Sequence, residues 1–246
     1  MIAGIFHQGS GLGNQLFRYV FIRTLALDKG LDWGMMNPEL FKGKSFMSIN
    51  CGKPVVGIEQ EYQEKRINHP NGDDIRTYDW ENILHIKDNT VVDGEFQGEL
   101  YFNHRIDEVR EWLKVEPLDM PDDLCVIGFR GGEYVGLSQL FLTKDYWDDA
   151  IRMMKEINPN MRFEVHTDDP KTASKFFDFP IIHDIGINWR SVRYAKYLII
   201  ANSSFYILPT LLNQDVKKVI APKFWARRNL GFWALPYNCY EGWHYI

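Results

Sequence analysis

The sequence predicts an α/β protein built on parallel sheets, and three observations predict it. Short apolar runs alternate with segments of helical periodicity along most of the chain. The first run, residues 2–6, opens directly onto a glycine-rich turn. Four polar clusters follow predicted strands immediately, where sheets of this kind gather their ligands.

Residues 2–6 read as a strand, HQGSGLGN as a turn, and Leu16, Tyr19, Val20, Ile22, Leu25 and Ala26 as the apolar positions of a helix that Lys29-Gly30 ends. Residues 31–35 predict a second strand. From 37 to 90 the chain is polar and dotted with proline, and no assignment is drawn there. Val91-Val92 leads into Gly94-Glu95-Phe96-Gln97, and 106–113 predicts a helix that stops before Pro117. The segment KVEPLDMPDD, at 114–123, reads as a linker, which divides the chain into lobes 1–118 and 119–246.

The pattern restarts in the second lobe: a strand at 124–129, the turn RGGEY, a helix at 144–157 with Thr143 as its N-cap, and a strand at 162–167. A short helix at 172–177, a strand at 181–182, a helix at 189–197, a strand at 198–201, a helix at 203–212 and a strand at 216–221 complete it. No internal repeat interrupts the sequence.

Composition narrows the function classes. The chain has 246 residues, 45% hydrophobic and 25% charged, as an ordinary globular protein does, and its size suits one large or two small domains. A net charge of −5 argues against a nucleic-acid partner, which needs a basic face. The longest apolar run, 197–204, is far short of the roughly 20 residues of a membrane span. The opening residues lack a basic segment and turn polar early, so no signal peptide is expected. Cys51, Cys125 and Cys239 show neither C-x-x-C spacing nor an even count, so a reducing cytoplasm is expected. The 15% aromatic content suits core packing first and sugar stacking second.

In the first cluster, residues 9–15, Gly11 and Gly13 let the backbone approach a ligand. The following helix N-terminus attracts an anion, and Asn14 and Gln15 add polar side chains. A tight turn that needs glycine only for its dihedrals fits equally. So does a dinucleotide fingerprint with Asp32 as the ribose acid, although Asn14 stands where that fingerprint has its third glycine. In the second cluster, Arg130 follows a strand beside two glycines, where a guanidinium reaches both oxygens of a diphosphate or pairs with Glu133 or Asp168. In the third, HTDDP, at least one of Asp168 and Asp169 reads as a helix cap. In the fourth, Asn202, Ser203 and Ser204 lead into a helix, to bind phosphate or to cap it. No His/Cys set has metal-ligand spacing.

The segment GSGLGNQLFRYVFIRTLA resembles the GGLGNQ-x-FQYAFARALA opening of the bacterial α1,2-fucosyltransferases, and GEFQGELYF resembles their GYFQSEKYF. LTKDYWDDAI, FEVHTDDP, KYLIIANSSF and KKVIAPKFW follow in the family's order, so the resemblance spans nearly the whole chain. It implies the GT-B arrangement, two facing Rossmann-like lobes with a cleft between them. It also implies a GDP-fucose donor, a sugar acceptor, and inverting transfer without a required metal or cofactor. By position, Asn14 and Arg130 would hold the donor pyrophosphate, and Ser203, Ser204 and Phe205 would form the phosphate loop of the second lobe.

The resemblance also shows departures. Where the family writes H-x-R-R-G-D, Gly128, Gly131 and Glu133 replace the histidine, the second arginine and the aspartate, and only Arg130 remains. Asn188 stands where relatives place a guanine-reading aspartate, with Asp184 as a substitute nearby. Glu133 is a candidate base for the acceptor hydroxyl or an orienter of Arg130. The competing expectations are a degenerate scaffold that binds a sugar or protein partner without catalysis, a transferase with another nucleotide-sugar donor, and a nicotinamide oxidoreductase.

Overall fold

A computed structural model describes residues 1–68, 74–76, 78–224 and 240–246. Trp225 of the closing IAPKFW motif and Cys239 lie outside the described residues. The chain forms two compact α/β units, Met1–Lys114 and Val115–Ile246, each built on a parallel sheet with a Rossmann-like pattern of strands and helices. The division falls ahead of the expected 118/119 boundary because the start of the acidic linker is tied to the second unit. Tyr194 Oη donates to Val115 O at 3.2 Å, and Arg190 donates to Glu116 O and Pro117 O at 2.9 and 3.1 Å.

In the first unit β1 (Ile2–Ile5) leads into α1 (Leu12–Asp28) and β2 (Trp33–Met36). The stretch without a sequence assignment contains β3 (Gln60–Gln63), the short antiparallel pair β4 (Arg66–Asn68) and β5 (Asp74–Arg76), and α2 (Trp80–Leu84). β6 (Thr90–Asp93) and α3 (Ile106–Trp112) follow. The parallel sheet runs in the order β2-β1-β6-β3. α1 packs so tightly on β1 that a Cβ on Gly4 would lie 2.7 Å from Ile22. Phe17, Phe21, Phe96, Phe102 and Tyr101 fill the core beside it.

The second unit holds β7 (Leu124–Phe129), α4 (Lys144–Ile157), β8 (Arg162–Thr167), α5 (Pro170–Ala173), β9 (Ile181–Ile182) and α6 (Ile185–Tyr194). It continues with β10 (Tyr197–Ile200), α7 (Ser204–Leu212), β11 (Lys218–Ala221) and β12 (His244–Tyr245). All neighbours in the order β12-β11-β10-β7-β8-β9 pair in parallel. β7 is buried along its whole length, as a central parallel strand covered on both faces must be. α4 buries Tyr146, Trp147, Ala150 and Met154, one stripe at helical spacing.

Three local expectations are corrected. α6 begins at Ile185, not 189, because the Asp184 carboxylate caps it by accepting from Ile187 N at 2.8 Å. α5 begins at Pro170 because Asp169 caps it, accepting from Thr172 N at 3.0 Å. Thr143 does occupy the N-cap position of α4, but its hydroxyl bonds the Asp145 carboxylate instead of a backbone amide. Among the described residues no helix is long and apolar enough to cross a membrane.

Candidate functional site

In each sheet the strand order reverses once. In the second unit β8 and β9 lie on one side of β7, and β10 to β12 lie on the other. The crevice at the carboxyl edge of β7 and β10 is therefore the place where such a sheet receives a ligand. Arg130 leaves β7 there, and Asn202, Ser203 and Ser204 leave β10.

Arg130 is held on three sides. Its guanidinium pairs with the Asp168 carboxylate, donates to Glu133 Oε1 at 2.9 Å, and lies 5.2 Å from the centre of the Tyr134 ring. Burial opposes the charge, but Asp168, Glu133 and Tyr134 outweigh it and hold the guanidinium protonated. The two glycines beside it serve this arrangement. Gly131 N donates to Asp168 Oδ1 at 3.0 Å and Gly132 N to Asp169 Oδ2 at 3.3 Å. Gly132 has φ +48°, and a Cβ there would meet Asp168 Oδ2 at 2.5 Å.

Close neighbours leave no room for a side chain at Gly128 or Gly131. A Cβ on Gly128 would lie 2.7 Å from the Tyr206 ring, which is fully buried and bonds Phe129 O and His166 O through its hydroxyl at 2.9 and 2.8 Å. Tyr206 thus fills the space over Gly128. A Cβ on Gly131 would lie 2.6 Å from Asp169 Cβ, so the cap of α5 closes the space beside that glycine.

The remaining expected residues of this unit divide into two groups. Ser203 forms the N-cap position of α7 without a side-chain cap bond, and the first turn of α7 carries no acid, which leaves a helix end suited to an anion. Asn202 is buried and donates to Leu140 O at 3.0 Å, while Phe205 packs edge-on against Trp189 at 5.7 Å. Asn188 turns inward. Its Oδ1 lies 3.0 Å from His166 Nδ1 and its Nδ2 donates to Thr167 O at 3.2 Å, so both polar ends are engaged in the interior. Asp184, exposed at the carboxyl edge beyond β9, caps α6 through its Oδ1, and among the described residues nothing bonds its Oδ2.

In the first unit the order reverses between β1 and β6. Gly11 sits ahead of α1 with φ −66° and open space where a Cβ would be, so only Gly9, at φ +82°, needs glycine for its dihedrals. Gly13 is buried in the first turn of α1. Asn14 Oδ1 accepts from Gln97 Nε2 at 2.8 Å, and the same nitrogen lies 2.9 Å from Glu95 Oε2. Gln15 corrects its expectation: fully buried, it donates to Leu40 O at 2.8 Å and accepts from Lys42 N at 2.9 Å, pinning the loop after β2. Asp32 precedes β2 and pairs with Lys53 at 2.6 Å. It stands at the amino end of the strand and not at the carboxyl end where a ribose acid belongs.

Sequence reasoning missed a second polar group at this edge. His7 Nε2 lies 2.8 Å from Asp93 Oδ1, which also accepts from Gly94 N at 2.9 Å and faces the buried Arg18 guanidinium at 3.5 Å. Burial works against ionised Asp93, yet His7, Arg18 and the Gly94 amide outweigh it and hold its carboxyl below the usual range. The only signal was position: both residues close the carboxyl ends of strands. Among the described residues no cluster of His, Cys, Asp or Glu is arranged to hold a metal ion.

His166 gives the second unit a pH dependence. It is fully buried on β8, and burial depresses its pKa below the ordinary value against the opposing pull of Glu164. The unfolded imidazole takes its proton near pH 6.5 and the folded one only at lower pH, so stability is complete above about 6.5 and declines as pH falls below it. The melting temperature of the wild type should drop between about pH 7 and 5.5, and His166→Gln should flatten that slope. An unchanged slope in the variant would assign it to other groups.

The chain matches no protein-family model and no curated protein. What the fold and the two edges define is a class: a pair of parallel-sheet α/β units, each with polar side chains gathered where its strand order reverses.

Proposed function

We propose that this protein is a glycosyltransferase of the GT-B kind that takes a nucleotide-sugar donor, with GDP-fucose the first candidate, and transfers its sugar with inversion to a carbohydrate acceptor. The observation that carries the reading is Arg130 at the carboxyl edge of β7, oriented by Asp168 and Glu133 beside the acid-free start of α7. A cation and a helix end together stabilise charge on a departing diphosphate, which is the main electrostatic demand of glycosyl transfer. In this role Glu133 is the orienter of Arg130, consistent with its 2.9 Å contact. Asp184 is the group available to read the base in place of Asn188, and its uncommitted oxygen accepts a purine N–H.

The test is a thermal-shift screen with GDP-fucose, GDP-mannose, UDP-sugars and NAD. A donor at about 100 times its dissociation constant should add about 2.7 kcal/mol of stability. A shift with GDP-sugars supports the reading, and a shift with UDP-sugars alone changes the donor. No shift with any nucleotide sugar favours the second reading, a non-catalytic scaffold, for which the loss of the family's second arginine at Gly131 speaks.

A further inference from the structure

We infer that this protein pairs with a second copy of itself through the exposed face of α2 in the first unit, as a two-fold dimer in which α2 runs antiparallel to the partner's α2. The pairing is independent of the transferase reading.

α2 buries only Ile83 of its five residues. Trp80 and Leu84, four residues apart and so on one face of the helix, are 41% and 53% exposed. Leu100 and Leu27 extend that face at 48% and 40% exposure. Leu100 adjoins Trp80 through Tyr78, whose hydroxyl donates to Leu100 O at 3.4 Å and whose ring stacks on Trp80 at 6.0 Å. Leu27 adjoins Leu84 because Lys29 Nζ, two residues further on, donates to Leu84 O at 2.8 Å. Among the described residues these are four of the five large apolar side chains exposed in the first unit, Val56 being the other. Apolar side chains scattered singly over a surface are ordinary, whereas a gathering of this kind marks an interaction surface. Lys29 follows the end of α1, which returns to the amino edge of the sheet, so this end of the surface lies away from the polar carboxyl edge of β1 and β6.

The charges around the patch identify the occupant. Glu81 and Glu99 stand at its Trp80 end, and Lys29 and Lys87 at its Leu84 end. Other charges nearby are matched in pairs: Lys65 with Asp79 at 3.2 Å, Arg105 with Asp28 at 2.7 Å, and the Met1 amino group with Asp88. The surface is thus acidic at one end and basic at the other, and a two-fold turn about its middle lays each end on its opposite. A partner charged with one sign would be repelled at one end. A second copy complements both, with Trp80 against the partner's Leu84 and Glu81 towards the partner's Lys87. Apolar contact supplies the affinity of such an interface, and the charges fix its orientation, because exposed ion pairs contribute little by themselves.

Sedimentation equilibrium of the full chain over about 1–100 μM should show a monomer–dimer equilibrium. Leu84→Lys should raise the dimer dissociation constant by about 10-fold or more, as loss of a central apolar contact does. Glu81→Lys and Lys87→Glu should each weaken self-pairing. An equimolar mixture of these two variants should dimerise more strongly than either alone, since each then meets the opposite charge on the other. Both positions are exposed, so the charge variants decide the matter even where Leu84→Lys fails to fold. A wild type that stays monomeric up to about 100 μM overturns the proposal. So does a dimer that folded Leu84→Lys leaves intact, or a mixture of the charge variants that pairs no better than each by itself.

Discussion

Replacing Arg130 by alanine is expected to weaken nucleotide-sugar binding by about 100-fold while lowering the melting temperature by only a few degrees. The binding loss follows from removing charge-assisted hydrogen bonds to a diphosphate, worth about 1.5–3 kcal/mol. The small stability loss follows from what remains. Asp168 keeps its bond from Gly131 N, Glu133 is exposed, and both can be hydrated once the guanidinium is gone. Partly exposed ion pairs of this kind contribute about 1 kcal/mol or less. Thermal shift and titration calorimetry on wild type and variant separate the two effects. A variant that binds donor normally makes Arg130 a structural residue, and one that melts many degrees lower makes its ion pairs a structural hub.

Substituting Glu64 by alanine should cost about 3–5 kcal/mol, the range for removing one member of a buried charged network. Glu64 follows β3 and is almost fully buried. Its carboxylate accepts from Glu95 N at 2.8 Å, Phe96 N at 3.2 Å and Tyr101 Oη at 3.1 Å. Without it these buried donors lose their acceptor. The turn they form is also strained, because Phe96 has φ +48°, a conformation that costs a bulky residue on the order of 1 kcal/mol or more. Stacking on Phe21 at 4.0 Å and the Glu64 bonds together hold it. Chemical denaturation should show the loss, and a cost below about 1 kcal/mol would mean that Phe21 and Tyr101 suffice.

The sequence alone determined the alternation of strands and helices wherever apolar runs were long enough to carry a period. β1 with α1, β7, α4, β8 and β10 with α7 were all legible for that reason. It also determined which clusters sit at strand ends, since a turn of glycine or aspartate after an apolar run marks the carboxyl edge. Tertiary structure decided the rest. β3 is the polar run QEYQ, and it becomes a strand because β6 supplies its hydrogen bonds, not because its own residues alternate. Gln15 and Asn188 look like ligand groups in sequence, but their partners Leu40, Lys42, His166 and Thr167 come from other segments and draw them inward. Tyr206 fills the space over Gly128 from 78 residues further along the chain. His7 finds Asp93 across 86 residues. A polar side chain's role depends on which distant backbone and charge the fold brings to it, and local residue order does not encode that distance.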